Sequence, residues 1–552
     1  MTDPGEPAAT LRYELGAIAR LGRTEPAAAL ARCEALLQER PGLVAARCLA
    51  GHLLRRLGRI DEARREIEAA LALDPAAPPA LSEAAQLAAL AGLWPAARRH
   101  LRRLLERRAQ DAGAWFNLGL AEERLTRFPE AAAAYERALA LAAARPDEIR
   151  TRLAVVLAAD GRHEQAENLL TAVLAGDPDN AEAHYGLGLL AASAGDATAA
   201  RASLRAAVGL RPDFAAAWQQ LLESRRVERT DDPELLAVVS LLERDTTRGE
   251  DEIRLRYALA KALDDLDDRA AAAAEYRRAN ALKRAGAPAF DRAACEREFA
   301  ALAAATGVPP TLRSGPPPTP VFVVGLPRAG TTLLDQLLNA HPQVAGVGEA
   351  PWFDRALQDR GAADWRSLDG AARAALTARC RGRLRDAGGR VVTNKFPANF
   401  RHLPLILELL PDARILHVVR DPRDTALSIW RQDFPVGNAW ANDLLDIAAY
   451  VNGYRRLMAT YGETCGAAIC DVEYEQLVAD PGPVMAAVLD FIQLPWDDAC
   501  LDPTGNERRV DTLSRWQVRR PVYRDAVGGW QRYEDTLAPL LAALADCDAA
   551  RP

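Results

Sequence analysis

A chain of 552 residues exceeds what one hydrophobic core organises, so two or three domains are expected. Hydrophobic residues make up 49% and charged residues 26%, as in an ordinary globular protein, and a net charge of −7 argues against a general nucleic-acid binder, which carries a basic face. The eight cysteines (Cys33, Cys48, Cys295, Cys380, Cys465, Cys470, Cys500, Cys547) form no Cys-x-x-Cys pair or Cys/His cluster with zinc spacing, so no metal is expected.

The opening MTDPGEPAAT lacks a charged head followed by an apolar stretch, and no apolar run of about 18 residues follows anywhere. The expectation is a cytoplasmic protein without membrane insertion. Alanines recur at Ala29, Ala63, Ala97, Ala131, Ala166 and Ala200, at intervals of 34 or 35, with closing prolines at Pro41, Pro75, Pro146, Pro178 and Pro212. Such a period predicts helix–turn–helix hairpins that bury their apolar stripes only by stacking. Trp115-Phe116-Asn117-Leu118-Gly119 resembles the first-helix signature of the tetratricopeptide repeat, and Ala131 with Tyr135 resembles its second helix. After Pro212 the register breaks, residues 222–252 read as irregular, and a further helical pair follows, in which Ala272 and Tyr276 repeat the Ala131/Tyr135 relation. The groove of such an array suits an acceptor or partner peptide; support of a second domain, or a homodimer, is the other reading.

Six prolines within residues 303–320 forbid a helix and favour an extended connector. Short β-branched runs then alternate with helical patterns, which predicts a parallel sheet covered by helices. The expected organisation is a helical-repeat domain over 1–302, a proline-rich linker over 303–319 and a P-loop-type α/β domain over 320–552.

Val321-Phe322-Val323-Val324 leads into Gly325-Leu326-Pro327-Arg328-Ala329-Gly330-Thr331-Thr332 and a helical run. Strand, glycine-bounded loop and helix together predict an anion cradle of backbone N–H groups at a helix N-terminus. The Lys-Ser/Thr pair of nucleotide triphosphatases is replaced by Thr331-Thr332, and the cation has moved to Arg328. About ninety residues on, Ile415-Leu416-His417-Val418-Val419 delivers Arg420 at a strand's carboxyl edge, with Ser428 eight residues later on the helix after Pro422. A guanidinium with a hydroxyl suits a phosphate dianion. Arg423 and Asp424 read as a salt bridge and helix cap.

The first string resembles the 5′-phosphosulfate-binding loop of sulfotransferases, Pro327, Arg328, Gly330, Thr331 and Thr332 matching while Ala329 stands where the family has serine. The second resembles their 3′-phosphate motif, with Arg420 and Ser428 as the clamp. Repeats and C-terminal half together resemble bacterial tetratricopeptide-repeat sulfotransferases, the latter over residues 320 to about 540, with likeness to tyrosylprotein sulfotransferases. The resemblance implies 3′-phosphoadenosine 5′-phosphosulfate as co-substrate, 3′-phosphoadenosine 5′-phosphate as product, and no metal. It casts Glu349 as general base, Lys395 with Arg328 as the cations on the bridging oxygen, and Tyr474 beside the nucleotide. The tail SRWQVRRPVYRDAVGGWQRYE resembles the segment that closes over adenosine, with Ser514, Gln517 and Arg520 as candidate contacts and Gly529 where a cation often precedes the tryptophan. His341, in an Ala-His-Pro turn, reads as a turn cap. The acceptor stays open among a peptide tyrosine, a sugar and a small alcohol. A P-loop phosphotransferase and a catalytically inactive repeat scaffold are the competing readings.

Overall fold

The computed structural model describes residues 6–141, 144–244, 246–305, 313, 315–361, 365–434, 437–502, 516 and 526–549. The chain divides into two compact units, Met1–Leu190 and Ala191–Pro552. Among the described residues no helix is long and apolar enough to cross a membrane.

In the first unit, antiparallel helices follow one another as hairpins: Val44–Arg56 with Ile60–Leu73, Pro78–Leu90 with Trp94–Arg107, Ala112–Arg124 with Phe128–Ala140, and Pro146–Ala159 with His163–Gly176. The periodic alanines sit where two helices cross. Ala29, Ala63, Ala131 and Ala166 are fully buried, as is Ala200 of the second unit. Gly119 shows why small residues are required, because a Cβ there would fall 2.5 Å from the Tyr135 ring. Tyr135 is itself fully buried and donates its hydroxyl to Glu123 at 2.6 Å.

The second unit contains a five-stranded parallel sheet in the order β2-β3-β1-β4-β5, formed by β1 (Thr319–Gly325), β2 (Val344–Gly346), β3 (Val391–Asn394), β4 (Arg414–Val419) and β5 (Ile469–Glu473). Val321 to Val324 are wholly buried, as expected for a central strand covered on both faces. From β1 the chain passes to β2 and β3 on one side, then crosses to β4 and β5 on the other. The switch point of the sheet therefore lies at the carboxyl ends of β1 and β4, where open α/β sheets bind ligands.

Helices Glu250–Asp265, Arg269–Ala285 and Arg292–Ala304 share one apolar cluster with this sheet. Tyr276 packs on Trp430, and Phe299 stacks on Phe400 and meets Tyr450 edge-on. Polar ties reinforce the contact: Lys283 pairs with Asp433 at 2.5 Å, Arg292 with Asp446 at 2.5 Å, and the Asn280 amide donates to the Trp430 carbonyl at 3.0 Å. The stretch read as irregular, 222–252, holds a helix at Pro233–Leu242. Its start signal lay in the sequence, since Asp232 accepts from the Glu234 and Leu235 N–H groups and Pro233 occupies the first turn.

Candidate active site

The loop after β1 enters helix Thr331–Asn339 through two left-handed residues, Arg328 (φ +68°) and Gly330 (φ +108°). A left-handed arginine is uncommon, and such strain is held in place at functional loops. A Cβ on Gly330 would lie 2.4 Å from Cδ2 of Tyr474, so only glycine lets the loop pass beneath that ring. Pro327 is half-buried. Ala329, where the sulfotransferase loop carries serine, is 2% exposed and belongs to the apolar cluster. Its N–H donates to the Leu326 carbonyl at 3.2 Å.

The second motif meets this loop directly. Arg328 Nε donates to Ser428 Oγ at 3.1 Å, and Arg420 Nη1 donates to the Arg328 carbonyl at 2.8 Å. Arg420 also lies 4.6 Å from the centre of the Tyr474 ring and donates through Nη2 to the Ala526 carbonyl at 2.6 Å. Its Nε is buried without a hydrogen-bond partner among the described residues. A buried guanidinium N–H left unmatched is a standing invitation to an anion. A cavity of about 450 Å³ opens here, lined by Arg328, Thr331, Thr332, Arg420, Ser428 and Tyr474. Tyr257, Lys261, Asp264 and Arg269 of the preceding helical pair form another part of its wall, so the pair that echoes the repeats reaches the same cavity as the loop after β1.

Glu349 and Lys395 come together through sheet pairing. The β2–β3 register places Gly346 opposite Thr393, and the Lys395 N–H donates to the Gly348 carbonyl at 3.0 Å. Lys395 is 2% exposed and its ammonium pairs with Glu349 Oε1 at 2.5 Å. The same nitrogen reaches Thr332 Oγ1 at 3.4 Å, which links the carboxylate to the cavity wall without making Glu349 part of that wall. Glu349 does not cap the helix Trp352–Arg360, whose N-cap residue is Pro351. His341 accepts the Gln343 N–H and faces the Pro495 carbonyl, as a turn-capping histidine does.

Arg423 forms the expected loop salt bridge, with Asp421 at 2.7 Å, but Asp424 is not the helix cap. The N-cap of helix Pro422–Trp430 is Asp421, which accepts the Arg423 N–H and the Arg423 guanidinium. Burial pushes the Asp421 carboxyl up, but these bonds outweigh it and bring it below the usual carboxylate range. Asp424 is 3% exposed and accepts instead from the Gly528 and Trp530 N–H groups at 2.7 and 2.8 Å. Arg423 stacks on the Trp530 ring, 4.2 Å from its centre, so a cation reaches that tryptophan from another element although Gly529 precedes it. Trp516, within the tail, also lines the cavity. Ser514, Gln517 and Arg520 lie outside the described residues. Asp264, Arg431 and Tyr533, which meet beside the cavity, escaped the sequence because their spacing along the chain carries no signal.

The loop after β1 and the Arg420–Ser428 pair meet in one cavity of a sulfotransferase-type α/β domain that follows helical repeats. Residues 320–498 match the model of the sulfotransferase family, and residues 48–100, 83–148 and 151–214 match that of the tetratricopeptide repeat. The chain thus joins a tetratricopeptide-repeat region to a sulfotransferase-family domain.

Among relatives, an uncharacterized protein of Aquifex aeolicus is 33% identical over 253 residues, which is 42% of this chain and 33% of that protein. Protein-tyrosine sulfotransferase A of Caenorhabditis elegans is 29% identical over 259 residues, covering 42% of this chain and 68% of the worm protein. The match therefore spans only a third of the Aquifex protein. Among solved structures, the sulfotransferase domain of the Synechococcus PCC 7002 olefin synthase aligns over 41% of this chain and 91% of its own, at 21% identity and a TM-score of 0.30.

Proposed function

We propose that the protein transfers the sulfuryl group of 3′-phosphoadenosine 5′-phosphosulfate to a hydroxyl acceptor, with a peptide tyrosine as the first candidate. The observation that carries this reading is the single cavity shared by the phosphate loop and the Arg420–Ser428 pair, which suits a nucleotide with anionic groups at both ends. A triphosphate nucleotide has no group for the second site. Helix N-terminal N–H groups and Arg328 would hold the 5′-phosphosulfate, Arg420 and Ser428 the 3′-phosphate, and Tyr474 one flank of the nucleoside. Arg328 Nε and Ser428 Oγ lie 3.1 Å apart, which brings the donors proposed for the two anionic ends of the nucleotide to one place in the cavity.

In the reaction, Glu349 accepts the acceptor's hydroxyl proton as the oxygen–sulfur bond forms. The bond from sulfur to the bridging oxygen of the 5′-phosphate breaks, and its electron pair stays on that oxygen. Lys395 and Arg328 are the cations placed to stabilise this charge. The ion pair at 2.5 Å holds Glu349 near Thr332. The peptide preference draws on the repeats and on the tyrosine-sulfating relative.

The test is label transfer from sulfur-labelled donor, by the full chain, to a tyrosine peptide, a polysaccharide and a small phenol. Label on peptide tyrosine is expected. No transfer to any of them, together with no binding of 3′-phosphoadenosine 5′-phosphate and measurable binding of ATP, would return the domain to the phosphotransferase reading.

A further inference from the structure

Residues Ala526–Tyr533 form a strap across the arginine–serine site. Its first residue accepts Arg420 Nη2, its Gly528 and Trp530 N–H groups donate to Asp424, and Arg423 stacks on Trp530. Those anchors all come from Arg420 and the first turn of the helix that carries Ser428. The far end of the strap is tied elsewhere. Tyr533 donates its hydroxyl to Asp264 at 2.6 Å, on helix Glu250–Asp265 of the helical pair. The other oxygen of Asp264 accepts from Arg431 at 2.7 Å, and Arg269 also reaches Asp264. Arg431 is the C-cap of the Ser428 helix, so one carboxylate joins both the strap's end and that helix's end to the helical pair. The Tyr533 ring lies between two guanidiniums, 5.9 Å from Arg269 and 5.6 Å from Arg431.

We propose that Asp264 and Tyr533 are positioning residues for the donor nucleotide: a latch through which the helical pair holds the strap, and with it Arg420, in the binding arrangement. The proposal rests on the donor reading above. Three observations support it. The strap lines the cavity with Ala526, Gly529 and Tyr533, and Asp264 lines it from the helical side. The helix bearing Asp264 is bonded to the next helix through the Tyr257 hydroxyl and Asn280 Oδ1 at 2.9 Å, and that helix and the one after it are held by Lys283–Asp433, Asn280–Trp430 and Arg292–Asp446, so Asp264 stands on a post whose docking does not depend on the latch. Burial, and after it the charge of Asp264, pushes the Tyr533 hydroxyl up to about 12, which keeps its proton available for donation throughout the physiological range. A strap already ordered spares the nucleotide the entropy of ordering it, which is how preorganisation raises affinity without new contacts.

The experiment uses Tyr533→Phe in the full chain, with calorimetric titration of 3′-phosphoadenosine 5′-phosphate, steady-state kinetics at varied donor, and acrylamide quenching of tryptophan fluorescence. Loss of one hydrogen bond to a charged acceptor predicts about tenfold weaker nucleotide binding and a donor KM raised by a similar factor. At saturating donor, kcat stays within about twofold, since the latch touches no reacting atom. Quenching rises in the nucleotide-free variant and returns to the parent level when nucleotide is bound. Asp264→Ala gives the same weakening, and adding Tyr533→Phe to it costs nothing further. Unchanged binding by Tyr533→Phe, or full additivity of the two substitutions, overturns the latch while the parent's own nucleotide binding still stands. A parent protein that does not bind the nucleotide overturns both readings.

Discussion

Gly330→Ala tests the crowding at the phosphate loop. Glycine 330 has φ +108° and ψ +8°, a conformation that costs a side chain about 1–3 kcal/mol. Its new Cβ would stand 2.4 Å from Tyr474 Cδ2 and 2.9 Å from Cε2. Ordinary carbon contacts begin near 3.5 Å, so the ring must retreat by about 1 Å. Tyr474 is 8% exposed and carries Arg420 4.6 Å from its ring centre, so the retreat is resisted by packing and displaces the guanidinium. Overpacking adds about 1–3 kcal/mol, for a total destabilisation of about 2–6 kcal/mol. Denaturant unfolding reads that loss. Titration with 3′-phosphoadenosine 5′-phosphate reads the second consequence, an affinity lowered at least about tenfold because a misplaced charged contact costs about 1.4 kcal/mol or more. Gly529→Ala is the internal control: it lines the same cavity, yet the nearest atom to its new Cβ is Asp424 Oδ1 at 3.7 Å. That variant stays within about 0.5 kcal/mol of the parent. Equal behaviour of the two alanine variants would refute the reasoning.

Three other outcomes follow from the site. Glu349→Gln lowers turnover at least about 100-fold, the ordinary contribution of a general base, while nucleotide affinity stays within a few fold because Glu349 is not part of the cavity wall; retained turnover removes Glu349 from the chemistry. Arg420→Ala weakens 3′-phosphoadenosine 5′-phosphate far more than adenosine 5′-phosphosulfate, and equal losses contradict a 3′-phosphate site. The hydrogen bond from His417 holds the Asp471 carboxyl below the usual range, and a depressed folded value stabilises above about pH 4 and is lost as pH falls through that value. Asp471→Asn therefore flattens the acid limb of stability measured by urea unfolding between about pH 3 and 7; a limb parallel to the parent's rejects the assignment.

The repeats and the strand–loop–helix that opens the sheet were legible because each is written in local sequence. Alanines every 34 or 35 residues report helix crossings directly, and Gly325 to Thr332 between an apolar run and a helical run announces the turn from β1 into helix Thr331–Asn339. Helix Pro233–Leu242 went unread because its apolar run is short, although Asp232-Pro233 is a start signal. Pairings that depend on register or docking left no local trace. Glu349 meets Lys395 only because β2 lies beside β3, and the sequence shows two charges 46 residues apart. Asp264 holds Tyr533, 269 residues away, a separation that no local pattern announces. Asp424 is turned inward towards the strap, and that leaves Arg423 to bond Asp421 behind it.

The apolar cluster joining helices Glu250–Ala304 to the sheet has an evolutionary corollary. Arrays of this kind lengthen and shorten by whole repeats, and upstream of Ala191 such duplication or loss leaves the sheet's own core unaltered. Downstream, inserting one 34-residue period would break the matches of Tyr276 with Trp430 and of Phe299 with Phe400 at a stroke. Homologues should accordingly vary in repeat number at the amino-terminal side while inheriting the three helices before β1 as a fixed piece of the sheet domain, with substitutions on their inner faces tracking those on the sheet.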